Sequence, residues 1–449
     1  MKEPAYPAIH SSDSQIFRRP LGRRGFLQCV TAGAGGLILA SCSQGSATAQ
    51  KPGDAVHLEY WTFLDPKGTD PRAKAEMQIF ANLKERDNIV LDWHIIPWQT
   101  IDVQLLAAIQ AGNAPQISRI RGFSYQRDAA AGALLDLTSY AKKSFTQEDL
   151  ADFVGSVQNS KGKIDSFRIE NIANALYVRT DWLKSIGLAP PETWDEFVQV
   201  GLALKKFKPN VTPYLTSAST VQLNHVLMIF QPMIMGRGGR VLDEGGRAAF
   251  NSQAGQETFA YLRDLVFKHG IMSKDAISMT FDDVTDAFMS GRGAMMIEGS
   301  NRFSKVSKKL GESVSVVKIP GVEKGKPSPT VMDGWKMIIP KGSSAPDEAW
   351  KALQFRISPD SQELFAKVAG GLPTRGSVLE RPFFKTPEAS IIRWWTKYEV
   401  ENGADLDAPV HATELNKLMA EALQRAILEP ETKMAGILAT AADSYNSLL

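Results

Sequence analysis

Residues 56–113 read VHLEYWTFLDPKGTDPRAKAEMQIFANLKERDNIVLDWHIIPWQTIDVQLLAAIQAGN, and their alternation decides the fold class. Val56, Leu58 and Tyr60 fall on one face at period two, the spacing of a half-buried strand. Asp65-Pro66-Lys67-Gly68 forms a turn, and Ala73, Met77, Phe80 and Leu83 then recur at helical spacing. Ile89, Leu91, Trp93 and Ile95 alternate again as a second strand, which Pro97 ends. Leu105, Ala108 and Ile109 mark a second helix, closed by Gly112-Asn113. This order predicts an α/β fold on mostly parallel strands. Two caps support it downstream. Thr193-Trp194-Asp195-Glu196 is a capping box, in which hydroxyl and carboxylate satisfy free N–H groups at a helix start. Ser358-Pro359 sets an N-cap before proline at the first helical position, and Gly370-Gly371 would stop that helix.

The chain has 449 residues, 43% hydrophobic and 22% charged, which suits two or more packed lobes rather than one core. Its formal net charge is +2, but residues 1–41 hold five basic side chains against two acidic ones. Subtracting these from 51 basic and 49 acidic groups leaves 46 and 47, a net of −1. A near-neutral body lacks the basic footprint that nucleic-acid binding requires. The two cysteines, Cys29 and Cys42, are both N-terminal, so the body has neither a disulfide nor a thiolate metal site. Six dispersed histidines show no metal-ligand spacing, and neither metal nor cofactor is expected.

The N-terminus reads as an address. Gly22-Arg23-Arg24-Gly25-Phe26-Leu27 resembles the twin-arginine export motif. The apolar run from Val30 to Ala40 is shorter than the about 20 residues a membrane-spanning helix takes. Leu39-Ala40-Ser41-Cys42 then matches the lipoprotein box, whose cysteine receives the lipid. The alternative is an ordinary signal cleaved near Ala47-Thr48-Ala49. The order of the two motifs favours 1–41 as the signal, Cys42 as the lipidation site and 42–53 as a flexible tether.

Six segments in order resemble the type 1 extracellular solute-binding proteins, the maltose-binding-protein-like partners of ABC importers. They include Trp98 to Pro115 (WQTIDVQLLAAIQAGNAP) and Gly132 to Tyr140 (GALLDLTSY). Ala175 to Phe197, Ala287 to Arg302 (AFMSGRGAMMIEGSNR), Gly334 to Pro340 (GWKMIIP) and Gly371 to Arg375 follow, with Ala349-Trp350 between the last two. The chain departs at Gln116, where the family usually has Asp, and at Asn301, near a usual aromatic. The resemblance implies a two-lobed periplasmic-binding-protein fold of type II with ligand in the inter-lobe cleft. Lobe one would take 54–140 and 312–357, and lobe two 141–311 and 358–449. It further implies a monomer outside the cytoplasm, anchored through Cys42, that delivers a carbohydrate to the permease subunits of an ABC importer.

A sugar cleft needs aromatic platforms and groups that form paired hydrogen bonds. Trp61, Phe63 and Asp65 lie at the end of the first strand, where open α/β sheets bind ligands, although the two aromatics equally suit a core. Arg119 and Arg121 follow the third predicted strand, and Asn171, Asn174 and Tyr177 enter lobe two. Tyr177 alternatively packs inside with its hydroxyl on backbone. Asn301 and Arg302 suggest a polar subsite, and Asp333-Gly334-Trp335 joins an acceptor, a close backbone approach and a stacking face. Arg375 reaches the cleft or braces a crossover, and of Trp394-Trp395 only one faces ligand. Trp98 and Trp194 are assigned to packing. An acidic sugar would pair with Arg121 or Arg302.

Chemistry for catalysis is not evident. No GxSxG occurs, Asp282, Asp283 and Asp286 read as an exposed helix start, and Gly236 to Gly239 reads as a loop. Competing readings are a binder of another polar solute (a phosphorylated polyol or a peptide), a sensory binding protein, and an exported carbohydrate-active enzyme.

Overall fold

Tyr60 shows how the first strand is built into its core. Its ring packs edge-on against Phe80 at 5.5 Å and Trp93 at 5.6 Å, joining strand, helix and next strand, as the period-two reading requires. The computed structural model describes residues 53–449 apart from 160, 431 and 432. The export segment, Cys42 and the tether up to residue 52 lie outside the described residues.

Among the described residues ten strands form two sheets. In chain order they are β1 (Val56–Thr62), β2 (Ile89–Ile95), β3 (Ile117–Arg121), β4 (Phe167–Ile172), β5 (Asn174–Arg179), β6 (Thr212–Leu215), β7 (Gly293–Gly299), β8 (Val314–Val317), β9 (Thr330–Ile338) and β10 (Gly403–Asp405). The first sheet runs β10-β9-β3-β1-β2, with β4 also on β9; the second runs β6-β7-β5-β8. β1 is parallel to β2 and β3, but β9 is antiparallel to β3 and β4, and β5 is antiparallel to β7 and β8. The expectation of mostly parallel strands therefore holds for the opening β-α-β units and for the pairs β6–β7 and β9–β10, while the other pairings are antiparallel. Strands that return through the molecule enter from the opposite direction.

Strand pairing also moves the expected lobe boundaries. β4 was placed with lobe two, yet it pairs along β9 in the first sheet. β8 was placed with lobe one, yet it pairs with β5 in the second. The helix Pro359–Ala369, also placed with lobe two, puts Phe365 in the core under the first sheet. The chain first crosses between sheets in a single residue, Ala173, since β4 ends at Ile172 and β5 starts at Asn174, and it returns between β8 and β9. Asn174 fastens this crossing to β9. Its N–H donates to Thr330 Oγ1 at 2.8 Å, the Thr330 hydroxyl donates back to the Asn174 carbonyl at 2.9 Å, and Asn174 Nδ2 donates to the Val331 carbonyl at 3.4 Å.

The local signals hold where they were specific. Thr193 and Glu196 exchange the two capping-box bonds that open the helix Trp194–Phe207, and Trp194 packs in the core beside Phe197. Ser358 caps the helix Pro359–Ala369, which ends at Gly370 in the left-handed conformation. Met77 is the exception in the first helix: it faces solvent, and Ile79 takes the buried position.

Candidate functional site: a cleft between two sheets

Two sheets joined by a one-residue crossing leave a cavity of about 250 Å³ between them. From the first sheet it is lined by Phe63 just beyond β1, Trp98 beyond β2, Arg121 at the end of β3, and Asp333, Gly334 and Trp335 on β9. The second sheet supplies Glu298 and Gly299 at the end of β7, then Asn301 and Arg302 in the following turn. Helix starts contribute Arg72 and Asp282. Strands β1, β2 and β3 thus present their carboxyl ends to the cavity, the position favoured for ligands in open α/β sheets. A second space of about 820 Å³ shares Arg72 and Asn301 with the first and extends past Asn171, Lys308 and Trp395.

The floor is an aromatic pair backed by a cation. Phe63 and Trp335 stand 4.4 Å apart between ring centroids, tilted by 31°. The Arg119 guanidinium lies 5.3 Å from the Phe63 ring and 5.9 Å from the Trp335 ring, within cation–π range of both. Arg119 is fully buried. Its Nε donates to the Tyr60 hydroxyl at 2.8 Å, and its Nη atoms meet Glu76 and, at 3.6 Å, Glu170. Glu76 also accepts from Arg356 at 3.0 Å. Burial alone would raise the Glu76 carboxyl, but Arg119 and Arg356 outweigh it and hold Glu76 below its ordinary range.

Gly334 is needed for this geometry. Its φ is 145°, and a Cβ there would stand 2.0 Å from the Glu170 carbonyl oxygen, so β9 and β4 close only on glycine. Gly122 leaves room for Asp333 in the same way, since a Cβ at Gly122 would meet Asp333 Oδ1 at 2.4 Å.

Of the residues expected to bind ligand, Phe63, Arg121, Asn301, Arg302, Asp333 and Trp335 come together on this cavity, and Asn171 lines the larger space. Seven do not line the cavity. Trp61 stacks on His94 at 5.2 Å with Nε1 on Glu59, because the sheet covers that face. Asp65 is exposed and closes its own turn by accepting from Lys67 N–H at 2.8 Å. Arg119 lies behind the aromatic floor, and Asn174 holds the sheet crossing. Tyr177 is buried and donates to the Gly299 carbonyl at 2.7 Å, so the packing alternative describes it. Arg375 pairs with Asp152 at 2.7 Å and Asp149 at 3.3 Å, bracing the chain rather than reaching the cavity. Trp394 packs against Trp395 and Tyr398.

Arg72, Trp98, Asp282 and Glu298 were missed. Trp98 was assigned to packing beside a helix start, but it lines the cavity with Arg121 5.8 Å above its ring. Glu298 carried a legible signal, a carboxyl ending the otherwise apolar run Ala294-Met295-Met296-Ile297. Burial pushes it up to about 8, against a smaller opposing effect of Arg302. Native Glu298 therefore holds a proton that the unfolded chain has released above its ordinary value of 4.5. Its contribution to stability falls by up to about 1.4 kcal/mol per pH unit from there to the raised value. Urea unfolding at pH 5 and pH 8 is expected to show a smaller loss of stability in Glu298→Gln than in the parent. Equal losses would contradict the raised Glu298.

The profile of the bacterial extracellular solute-binding proteins matches residues 68–363. The lipoprotein LipO of Bacillus subtilis is 22% identical over 382 residues, covering 78% of this chain and 74% of that protein. An ABC transporter solute-binding protein from Thermotoga lettingae, solved with α-D-tagatose, superposes with a TM-score of 0.72 at 19% identity, covering 88% of this chain and 100% of that one. The cyclic α-maltosyl-1,6-maltose binding protein of Arthrobacter globiformis gives 0.75 at 19% identity, covering 88% and 99%. The two-lobed fold with its cleft between lobes is thus shared with solved solute-binding proteins. With two thirds of its length under one profile, this chain belongs to the bacterial extracellular solute-binding protein family.

Proposed function

We propose that the chain captures a carbohydrate between its two lobes and delivers it to the permease of an ABC importer, breaking no bond in it. The observation that carries this reading is the cavity itself, where the Phe63–Trp335 platform faces carboxyl, amide and guanidinium groups from the opposite sheet. Aromatic faces match the C–H side of a sugar ring, and the polar edge matches its hydroxyls. A structural relative bound to α-D-tagatose, and another named as a cyclic α-maltosyl-1,6-maltose binding protein, support the substrate class. The single-residue crossing at Ala173 supplies a hinge, and ligand would drive closure by binding the closed form better. The twin-arginine motif and Cys42 support a location outside the cytoplasmic membrane on a lipid anchor. A phosphorylated ligand is disfavoured, because Arg72, Arg121 and Arg302 each already hold a carboxylate.

A thermal-shift screen over sugars, amino acids and metal salts tests the reading. At least one carbohydrate is expected to raise the melting temperature, since binding to the native state stabilises by mass action. A rise only with amino acids or metals, or chemical turnover of a sugar, would overturn it.

A further inference from the structure

The cations around the small cavity are already matched. Arg72 pairs with Asp70 at 2.8 Å, Arg121 with Asp102 at 2.5 Å, and Arg302 with Asp282 at 2.7 Å. Two further carboxyls line the walls, Asp333 from the first sheet and Glu298 from the second. Asp333 is 9% exposed, makes no ion pair among the described residues, and its Oδ1 has no hydrogen-bond partner among them. The neighbouring cations are engaged: Arg121 with Asp102, and Arg168 with Asp405 at 2.9 Å. Lys336 is buried on the same strand, and burial drives its ammonium down to about 7. Burial likewise raises Asp333. Arg168 and Arg121 act on Asp333 from a distance, but neither forms an ion pair with it among the described residues.

We propose that this cavity takes a sugar carrying a protonated amine, its ammonium on Asp333 and its ring against Trp335 and Phe63. The proposal rests on the carbohydrate reading and narrows it. It also reverses the expectation of an acidic sugar. A carboxylate or phosphate would enter beside Asp333 and Glu298 with no uncommitted guanidinium to receive it. A neutral hydroxyl satisfies Oδ1 but leaves the buried carboxyl without a counter-charge. An ammonium supplies both the hydrogen bond and the charge. The floor rings already accept cations, with Arg72 5.1 Å from Phe63 and Arg119 5.9 Å from Trp335.

Titration calorimetry with glucosamine, galactosamine, glucose, galactose and glucuronate, in phosphate and in Tris at pH 7, tests this. Amino sugars are expected to bind about tenfold or more tighter than their neutral parents. Asp333→Asn is expected to remove that preference. Should the variant not fold, the preference of the parent protein among these sugars still decides. Equal or tighter binding of neutral sugars, tighter binding of glucuronate, or no binding of either amine would each overturn the proposal. Neutral sugars binding without the amines would leave the carbohydrate reading standing, whereas no response to any carbohydrate in the wider screen would remove it.

Discussion

Trp335→Ala is expected to abolish the rise in melting temperature produced by a bound sugar while leaving one cooperative unfolding transition. The indole is one of two rings in the cavity floor, 4.4 Å from Phe63, and it screens the buried Arg119 from the cavity. Removing it deletes the stacking face and opens the small cavity toward the guanidinium behind. The fold pays separately, because Trp335 is 6% exposed and its truncation leaves a void costing about 3–5 kcal/mol. The unliganded melting point should therefore fall, and the ligand-dependent difference should vanish. Fluorimetry with and without saturating sugar separates the two effects. A ligand-induced shift equal to that of the parent would take Trp335 out of the site.

Arg119→Met is expected to cost about 3–5 kcal/mol of stability, the range for removing one partner of a buried ion pair. Glu76 would keep Arg356, and Glu170 would keep Arg72 at 3.5 Å, so two buried carboxylates would share less positive charge. The sign of the pH dependence follows. Glu76 lies below its ordinary 4.5 in the native protein, so its stabilisation is present above that value and is lost as pH falls through the depressed one. The deficit of the variant should be largest near neutrality and shrink in acid. Urea unfolding at pH 7 and pH 4 measures it. A loss under about 1 kcal/mol at pH 7 would contradict a structural role for the cluster. Ligand affinity should weaken as well, because Arg119 positions both floor rings without touching ligand.

The expected site residues divide by physical cause. Phe63, Arg121, Asp333 and Trp335 were legible because strand ends and a Trp beside a Gly bring aromatic and polar groups to one place. Arg119, two residues before Arg121 on the same face of β3, is buried among Tyr60, Glu76 and Glu170, whereas Arg121 ends the strand at the cavity; the sequence shows only two similar arginines. Trp98 and Arg72 were hidden because helix-start residues look like packing or capping until the second lobe closes over them. The pairing of each cavity arginine with its own carboxylate was equally invisible, and it changes the charge expected of a ligand.

The sequence alone determined the alternating strands and helices, the helix caps, the family resemblance and the export motifs. These depend on periodicity, local hydrogen bonding and residue order, all of which are written within a few tens of residues. Only the tertiary structure decided that β4 belongs to the first sheet, that the chain crosses between sheets at Ala173, and that Asp333 Oδ1 is buried without a hydrogen-bond partner among the described residues. Those facts depend on strand register and on ion pairs between residues far apart in the chain, such as Arg119 with Glu170, which no local pattern encodes.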